Sequence, residues 1–334
     1  MTVKISDADF VEAWKRAGSS PSAVAKLTGL TIGGVYRRRN FIAMKGVILP
    51  TVSGSPNRHG RNGLGQAGWQ QAPNEYKPRI DETVRDGVVM VASDCHYWPG
   101  IITLAHKAFV ALARELQPKM IVLNGDIFDG ARISRHDPMG WQKLPTVLEE
   151  LEACKARLAE IERAAPKAKK RRTVGNHDSR FDRRLATETS DFDGVPGFSL
   201  RDHLKTWGES YSVMLNEELG HPVMIRHAMR GGIHAVWNNT LHAGVSIVTG
   251  HLHAQLCRPF TDYRGTRYGV DCGTLADIDG PQFSYTMDGP VNWRSGFAVL
   301  TFDKAGRLLP PELCEVQRFG KEQRAIFRGQ VVSL

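Results

Sequence analysis

The sequence predicts an α/β domain preceded by a small all-α module. Three observations carry that expectation. Between about residues 87 and 174, apolar runs of strand length alternate with amphipathic segments of helix length. Beyond residue 220 the chain consists largely of further short apolar runs with turn residues between them. Residues 1–45 show helical spacing only, and a stretch rich in Gly, Pro, Asn and Gln separates them from the rest.

The chain of 334 residues, with 41% apolar and 24% charged residues, has room for one large domain and one small one. No apolar run reaches the ~18 residues of a membrane span. The stretch Met1–Asp7 lacks the apolar core of a signal peptide. A cytoplasmic protein with no membrane partner is expected. The five cysteines, Cys95, Cys154, Cys257, Cys272 and Cys314, are odd in number and include no Cys-x-x-Cys. That argues against a disulfide framework and against a thiolate zinc site. Residues 1–80 carry twelve Lys/Arg against four Asp/Glu, a net of +8, whereas the whole chain is +9. The remainder is near neutral, so a polyanion partner is expected for the N-terminal part.

Residues 7–18 have Phe10, Val11 and Trp14 at helical spacing and Gly18 as a stop. From Ser20 to Arg39 the pattern fits a short helix, a turn at Thr28-Gly29-Leu30 and a second helix. Gly29 suits a left-handed turn. Val24, Leu27, Leu30, Ile32 and Val35 supply the apolar face. This resembles a DNA-binding helix-turn-helix, whose second helix enters the major groove. The resemblance implies groove contacts from Thr31, Gly33, Gly34, Tyr36 and Arg37. It implies phosphate contacts from Arg38 and Arg39, in the last turn. A three-helix module for protein contacts is the alternative. The module is assigned to residues 1–45 and a flexible basic linker to residues 46–80, with His59 given no metal role.

The large domain is assigned to residues 81–334. Gly87–Val91 reads as a buried strand and Ile101–Leu116 as a helix. Lys119–Leu123 reads as a second strand, Val147–Ala164 as a long helix and Lys169–Val174 as a third strand. This order implies parallel pairing with right-handed crossovers, and a site at the carboxyl ends of the strands. Residues 179–220 read as helical and irregular. His221–Arg226, Val245–Thr249 and Gly296–Phe302 read as strands, and Tyr263–Tyr268 as a hairpin.

Polar residues follow these strands directly. They are Asp94-x-His96, Gly125-Asp126-x-x-Asp129, Gly175-Asn176-His177-Asp178, His227 and Gly250-His251-x-His253. In an extended segment residues i and i+2 share a side, so Asp94 and His96 can face one ion. A glycine before Asp126, Asn176 and His251 would let the chain turn sharply. The five segments in this order resemble the calcineurin-like metallophosphoesterase family over about residues 87–255. The resemblance implies two packed mixed sheets flanked by helices, with metals at one edge. It implies a first metal on Asp94, His96, Asp126 and His253, and a second on Asp126, Asn176, His227 and His251, with Asp126 bridging. His177, oriented by Asp129, would act on the phosphoryl group and not bind metal.

The chemistry supports that implication. Two cations ~3.5–4 Å apart can hold a shared hydroxide and clamp a phosphoryl group for in-line attack. Imidazoles with carboxylates and no thiolate suit two divalent transition metal ions, Mn favoured, with Fe, Zn or Ni also compatible. One departure is that His227 precedes Ala228 where the family has glycine. His242 is the rival, but it stands too close to His251 for an intervening helix and strand. Arg180 is read as a phosphate contact or a surface ion pair, and Tyr97 and Trp98 as base-stacking rings or as loop packing. The expected function is two-metal hydrolysis of a phosphodiester, with DNA as substrate and partner. The alternative is a phosphatase or nucleotide phosphodiesterase that the N-terminal module only localises.

Overall fold

The computed structural model describes residues 5–18, 20–45, 47, 49, 79–138, 140–320 and 322–334. The chain divides into two compact units, residues 1–68 and 69–334. The boundary falls in residues 50–78, so His59 and most of the expected linker lie outside the described residues, while Ile80, assigned to the linker, opens the first strand of the second unit.

The first unit contains helices α1 (Asp7–Arg16), α2 (Pro21–Thr28) and α3 (Ile32–Met44). Each starts on a hydroxyl cap: Ser6, Ser20 and Thr31 accept a backbone N–H from the first turn. Gly29 ends α2 in the left-handed conformation, as its position suggested. Phe10, Trp14, Val24, Val35 and Ile42 form the core of this unit. Its glycine-bearing helix is longer than expected. α3 runs to Met44, so Arg37, Arg38 and Arg39 lie in mid-helix and not in its last turn.

The second unit is built on two mixed sheets. Its strands are β1 (Ile80–Glu82), β2 (Gly87–Ala92), β3 (Met120–Asn124), β4 (Lys169–Thr173), β5 (Gly208–Ser210), β6 (Ser212–Leu215) and β7 (Val223–Arg226). They continue as β8 (Ser246–Thr249), β9 (Leu256–Asp262), β10 (Gly265–Asp271), β11 (Gly296–Phe302), β12 (Glu312–Phe319), β13 (Glu322–Phe327) and β14 (Gln330–Val331). The helices are α4 (Leu104–Leu116), α5 (Val147–Ala164), α6 (Asp178–Glu188), α7 (Leu200–His203) and α8 (Ala235–Ala243). One sheet has the order β14-β13-β12-β11-β2-β3-β4-β5, the other β1-β6-β7-β8-β10-β9. β2, β3, β4 and β5 pair in parallel.

β2 and β3 read as continuous apolar runs because both of their faces are buried. Val89, Val91, Met120 and Val122 meet Val213, Ile225, Val248 and Val270 of the other sheet. Met90, Ile121 and Leu123 turn the opposite way, into a core with Phe109 and Leu112 of α4 and Leu151 and Leu158 of α5. Each such side chain contributes roughly 1.5–3 kcal/mol of burial. A Thr146–Glu149 capping box starts α5 at the expected residue.

Some expected bounds shift. α4 begins at Leu104, capped by Thr103, so Ile101 and Ile102 precede the helix. Residues 179–220 are not only helical and irregular, because β5 and β6 lie within them. The hairpin expected at residues 263–268 is longer, with β9 paired to β10 from Leu256 to Asp271. Rival His242 sits exposed on α8, a helix the pattern did not suggest.

Candidate metal centre

The loops that leave β2, β3, β4, β7 and β8 bring the expected ligands together in two groups. In the first, His253 Nε2 lies 3.1 Å from Asp94 Oδ1, and His96 Nε2 lies 4.0 Å from the same oxygen. In the second, His227 Nε2 lies 3.1 Å from Asp126 Oδ2 and 3.1 Å from Asn176 Oδ1. The His251 ring stands 5.3 Å from that of His227.

These loops are not extended. Asp94 (φ 53°), His96 (φ 40°), Asp126 (φ 53°), His251 (φ 72°) and His253 (φ 56°) are all left-handed. The shared facing of Asp94 and His96 therefore comes from a turned loop, not from strand alternation. Such conformations cost of order 1–3 kcal/mol each and persist where the surroundings over-determine them. Here the loops are tied to one another. Asp94 N–H donates to Gly125 C=O at 3.0 Å and His96 N–H to Asp126 C=O at 2.9 Å. Thr274 Oγ1 donates to Asp94 C=O at 2.6 Å, and Gly250 N–H to His227 C=O at 3.0 Å. Asp178 accepts N–H bonds from Asp126, Ile127, Phe128 and Gly175 at 2.8–3.1 Å. Thr274 and the tying role of Asp178 were not foreseen. Asp178 stood in plain view within Gly175-Asn176-His177-Asp178, whereas Thr274 carries no local signal.

The glycines also act differently from expectation. Only Gly125 turns the chain in the left-handed region (φ 83°). Gly175 and Gly250 are needed for room. A Cβ at Gly175 would overlap the carboxylate and backbone nitrogen of Asp126, and one at Gly250 would overlap Ser93 and Asp94.

The donor set fits divalent cations. His96 Nδ1 is bonded to Asp129 Oδ1 at 2.8 Å, while its Nε2 is buried without a hydrogen-bond partner among the described residues. A ring held through one nitrogen with the other bare is how a ligating imidazole is set up. Burial acts to raise the Asp94 carboxyl, but the charges of His253 and His227 outweigh it and hold it at about 2. Burial acts to lower the His227 imidazole, but Asp126 and then Asp94 push it up to about 10. The field that keeps a proton on His227 is one that suits a cation, whose binding would release that proton.

His177 stands beside the two groups. Its Nδ1 is 3.1 Å from Asp129 Oδ1 and 3.0 Å from Asp129 O, and its backbone N–H donates to Asp126 Oδ1 at 2.7 Å. Arg180 Nη2 lies 3.1 Å from His177 Nε2, and Nη1 donates to Asp129 C=O at 2.9 Å. Burial acts to lower the His177 imidazole, and the Asp129 hydrogen bond outweighs it, for a net rise. His96, Asp129 and His177 form a third close group, but Asp129 already engages the Nδ1 of both rings.

The other candidate residues have contacts of their own. Tyr97 is buried, its hydroxyl 3.0 Å from His106 Nδ1, so it packs and offers no stacking face. In the first unit Thr31 caps α3 through Gly34 N–H. Arg38 is bonded to Ile5 C=O and to Asp7 at 2.6 Å each, and Arg39 lies over the Trp14 ring at 5.4 Å. Tyr36 and Arg37 are exposed.

The family profile described as Calcineurin-like phosphoesterase matches residues 87–271, more than half of the chain and every residue of the two groups. The Gene 54 protein of Mycobacterium phage L5 is 28% identical over 233 residues, 63% of this chain and 86% of that protein. The Gene 54 protein of Mycobacterium phage D29 is 27% identical over 224 residues, again 63% and 86%. Among solved structures, Vps29 of Chaetomium thermophilum aligns with a TM-score of 0.37 and 9% identity, covering 72% of this chain and 94% of that one. With a profile match that spans most of the second unit's site-bearing strands, the chain belongs to the calcineurin-like phosphoesterase family and is a metal-dependent phosphoester hydrolase.

Proposed function

We propose that the chain hydrolyses phosphodiesters with two divalent metal ions, and that DNA is its substrate. The observation that carries this reading is the pair of ligand groups on adjacent loops, Asp94 with His96 and His253, and Asp126 with His227 and His251. Asp94, His96, Asp126 and His253 would hold one ion. Asp126, Asn176, His227 and His251 would hold the other, with Asp126 common to both. Imidazole, carboxylate and amide oxygen donors favour Mn, with Fe, Zn or Ni compatible. Bound ions supply Lewis-acid stabilisation and an activated water at neutral pH.

The residues do the rest. Asp129 fixes the His177 ring through Nδ1, leaving Nε2 as the working nitrogen. Nε2 accepts an Arg180 N–H in the free site, so the imidazole would protonate the leaving oxygen once that N–H turns to the phosphoryl group. Arg180, at the same nitrogen, sets a fixed positive charge where phosphoryl oxygens gather. The near-neutral second unit favours one rival, a small nucleotide or phosphomonoester substrate. Mn-dependent hydrolysis of linear, nicked and single-stranded DNA, set against mononucleotides, separates the two. His177→Ala should keep two metals per chain by metal analysis and lose ~10²–10⁴-fold in turnover. Loss of an ion in that variant overturns the assignment of His177.

A further inference from the structure

A row of aromatic rings rises beside the first ligand group, from the segment between β10 and β11, and the chemistry above does not use it. Phe283 is buried against the ligands, its ring 5.3 Å from that of His96 and 5.1 Å from that of His253. Trp293 stands edge-on to His253 at 4.8 Å and lies 5.1 Å from Phe283. Tyr285 completes the row, 6.3 Å from Trp293 and 6.4 Å from Phe283.

The row is mounted on the ligand loops. Arg294 N–H donates to His253 C=O at 2.8 Å, and Thr274 Oγ1 to Asp94 C=O at 2.6 Å. Ser295 Oγ closes the base of the segment on Ala276 C=O at 2.7 Å. At the rim the Gln142 amide donates to Ser284. Packing accounts for Phe283, which is 3% exposed, but not for Tyr285, which is 52% exposed. Burial and then the Asp129 charge raise the Tyr285 phenol, and the Arg180 charge opposes that rise.

We propose that Tyr285 and Trp293 form a nucleobase subsite, on which the base of the nucleoside esterified to the scissile phosphate stacks. The proposal rests on the phosphodiesterase reading and names its substrate class, a nucleoside phosphodiester. Only one sugar separates a base from its own phosphate, and these rings begin at the ring of a ligand residue; Tyr285 and Trp293 stand edge to face, so a base that stacks on one abuts the other. Aromatic shelves accept every base because every base has a π-face, so the subsite selects nucleosides without selecting sequence. It takes the place of the shelf that Tyr97 cannot provide.

Two esters with the same p-nitrophenolate leaving group test it: thymidine 5′-(p-nitrophenyl phosphate) and methyl p-nitrophenyl phosphate, both with Mn. The protein should prefer the thymidine ester, mainly through KM. Tyr285→Ala and Trp293→Ala should each reduce that preference about tenfold, the scale of losing one base–aromatic stack. Tyr285→Phe and Trp293→Phe should keep it. The subsite is overturned if the native protein shows no preference, or if both esters suffer equally in the alanine variants. The latter result would mean that the rings only support His253. If neither ester is cleaved, the phosphodiesterase reading fails, and calorimetric binding still decides the subsite. Thymidine 5′-monophosphate should then bind more tightly than inorganic phosphate, and the alanine variants should erase the difference. Equal binding of the two by the native protein overturns the subsite.

Discussion

Asp126 shows what a single residue must satisfy here. Its Oδ1 accepts the His177 N–H, its Oδ2 approaches His227 Nε2, and its own N–H is held by Asp178. The residue types and their order were legible in the sequence, because five polar segments in one order, each directly after an apolar strand, are specific even though Asp or Asn after a single strand is an ordinary turn residue. The geometry was not. Strand alternation was expected to aim Asp94 and His96, yet both are left-handed, and no local pattern in the sequence announces that. The glycines were noticed for their flexibility, but at Gly175 the need is for empty space beside Asp126. Gly175→Ala should therefore act like loss of a ligand without removing one. Because the added methyl meets the backbone of Asp126 as well as its carboxylate, rotation of the side chain cannot relieve it. Turnover should fall by at least ~10²-fold, and metal analysis should show reduced occupancy. Full occupancy with native turnover would show that the loop yields more easily than its hydrogen bonds suggest.

Among the elements, those buried on both faces were the legible ones. β2 and β3 follow from apolar runs and α5 from its amphipathic spacing, within a residue or so of their observed ends. β5 and β6 have three and four residues, too few to establish a period against their surroundings. β12 to β14 lie toward one edge of the large sheet and are mostly half-buried or exposed, so polar residues mask their alternation. The least legible link is how the elements are tied together. Asp178 opens α6 and at the same time holds the turn after β3 through three of its four N–H bonds. Burial and the Asp126 charge raise its carboxyl, while the backbone donors oppose that rise. Asp178→Asn puts an NH₂ where only acceptors fit, so it should leave buried N–H groups unpaired. Each costs roughly 1–3 kcal/mol. Denaturant unfolding should show a loss of about 2–4 kcal/mol, and metal affinity should fall with it. If stability and affinity both hold, the carboxylate is not what fixes the Asp126 turn.

At the scale of the whole molecule the charge is divided, with a net of +8 in residues 1–80 and near neutrality beyond. That division was legible from composition, and it is the basis for proposing that the N-terminal unit binds DNA. Composition could not reveal which basic residues are committed within the unit. Arg38 is held by Asp7 and Ile5, and Arg39 by the Trp14 ring, whereas Arg37 and Tyr36 are exposed on α3. Removing residues 1–78 should therefore weaken DNA binding and flatten its dependence on salt. The cut retains Arg79, which pairs with Asp81 and Glu217. For every phosphate the shortened chain no longer neutralises, the log–log salt slope should shrink by about 0.9 on duplex DNA. Arg37→Ala should reproduce one such step. Arg38→Ala should act differently, lowering the thermal stability of the unit by loosening α1 from α3. Hydrolysis of methyl p-nitrophenyl phosphate by the truncated protein should match that of the full chain, because every ligand lies between Asp94 and His253. Equal DNA affinity for the full and truncated chains across a salt titration would refute a DNA-binding role for the module. Loss of small-ester turnover on truncation would instead make the first unit part of the active site.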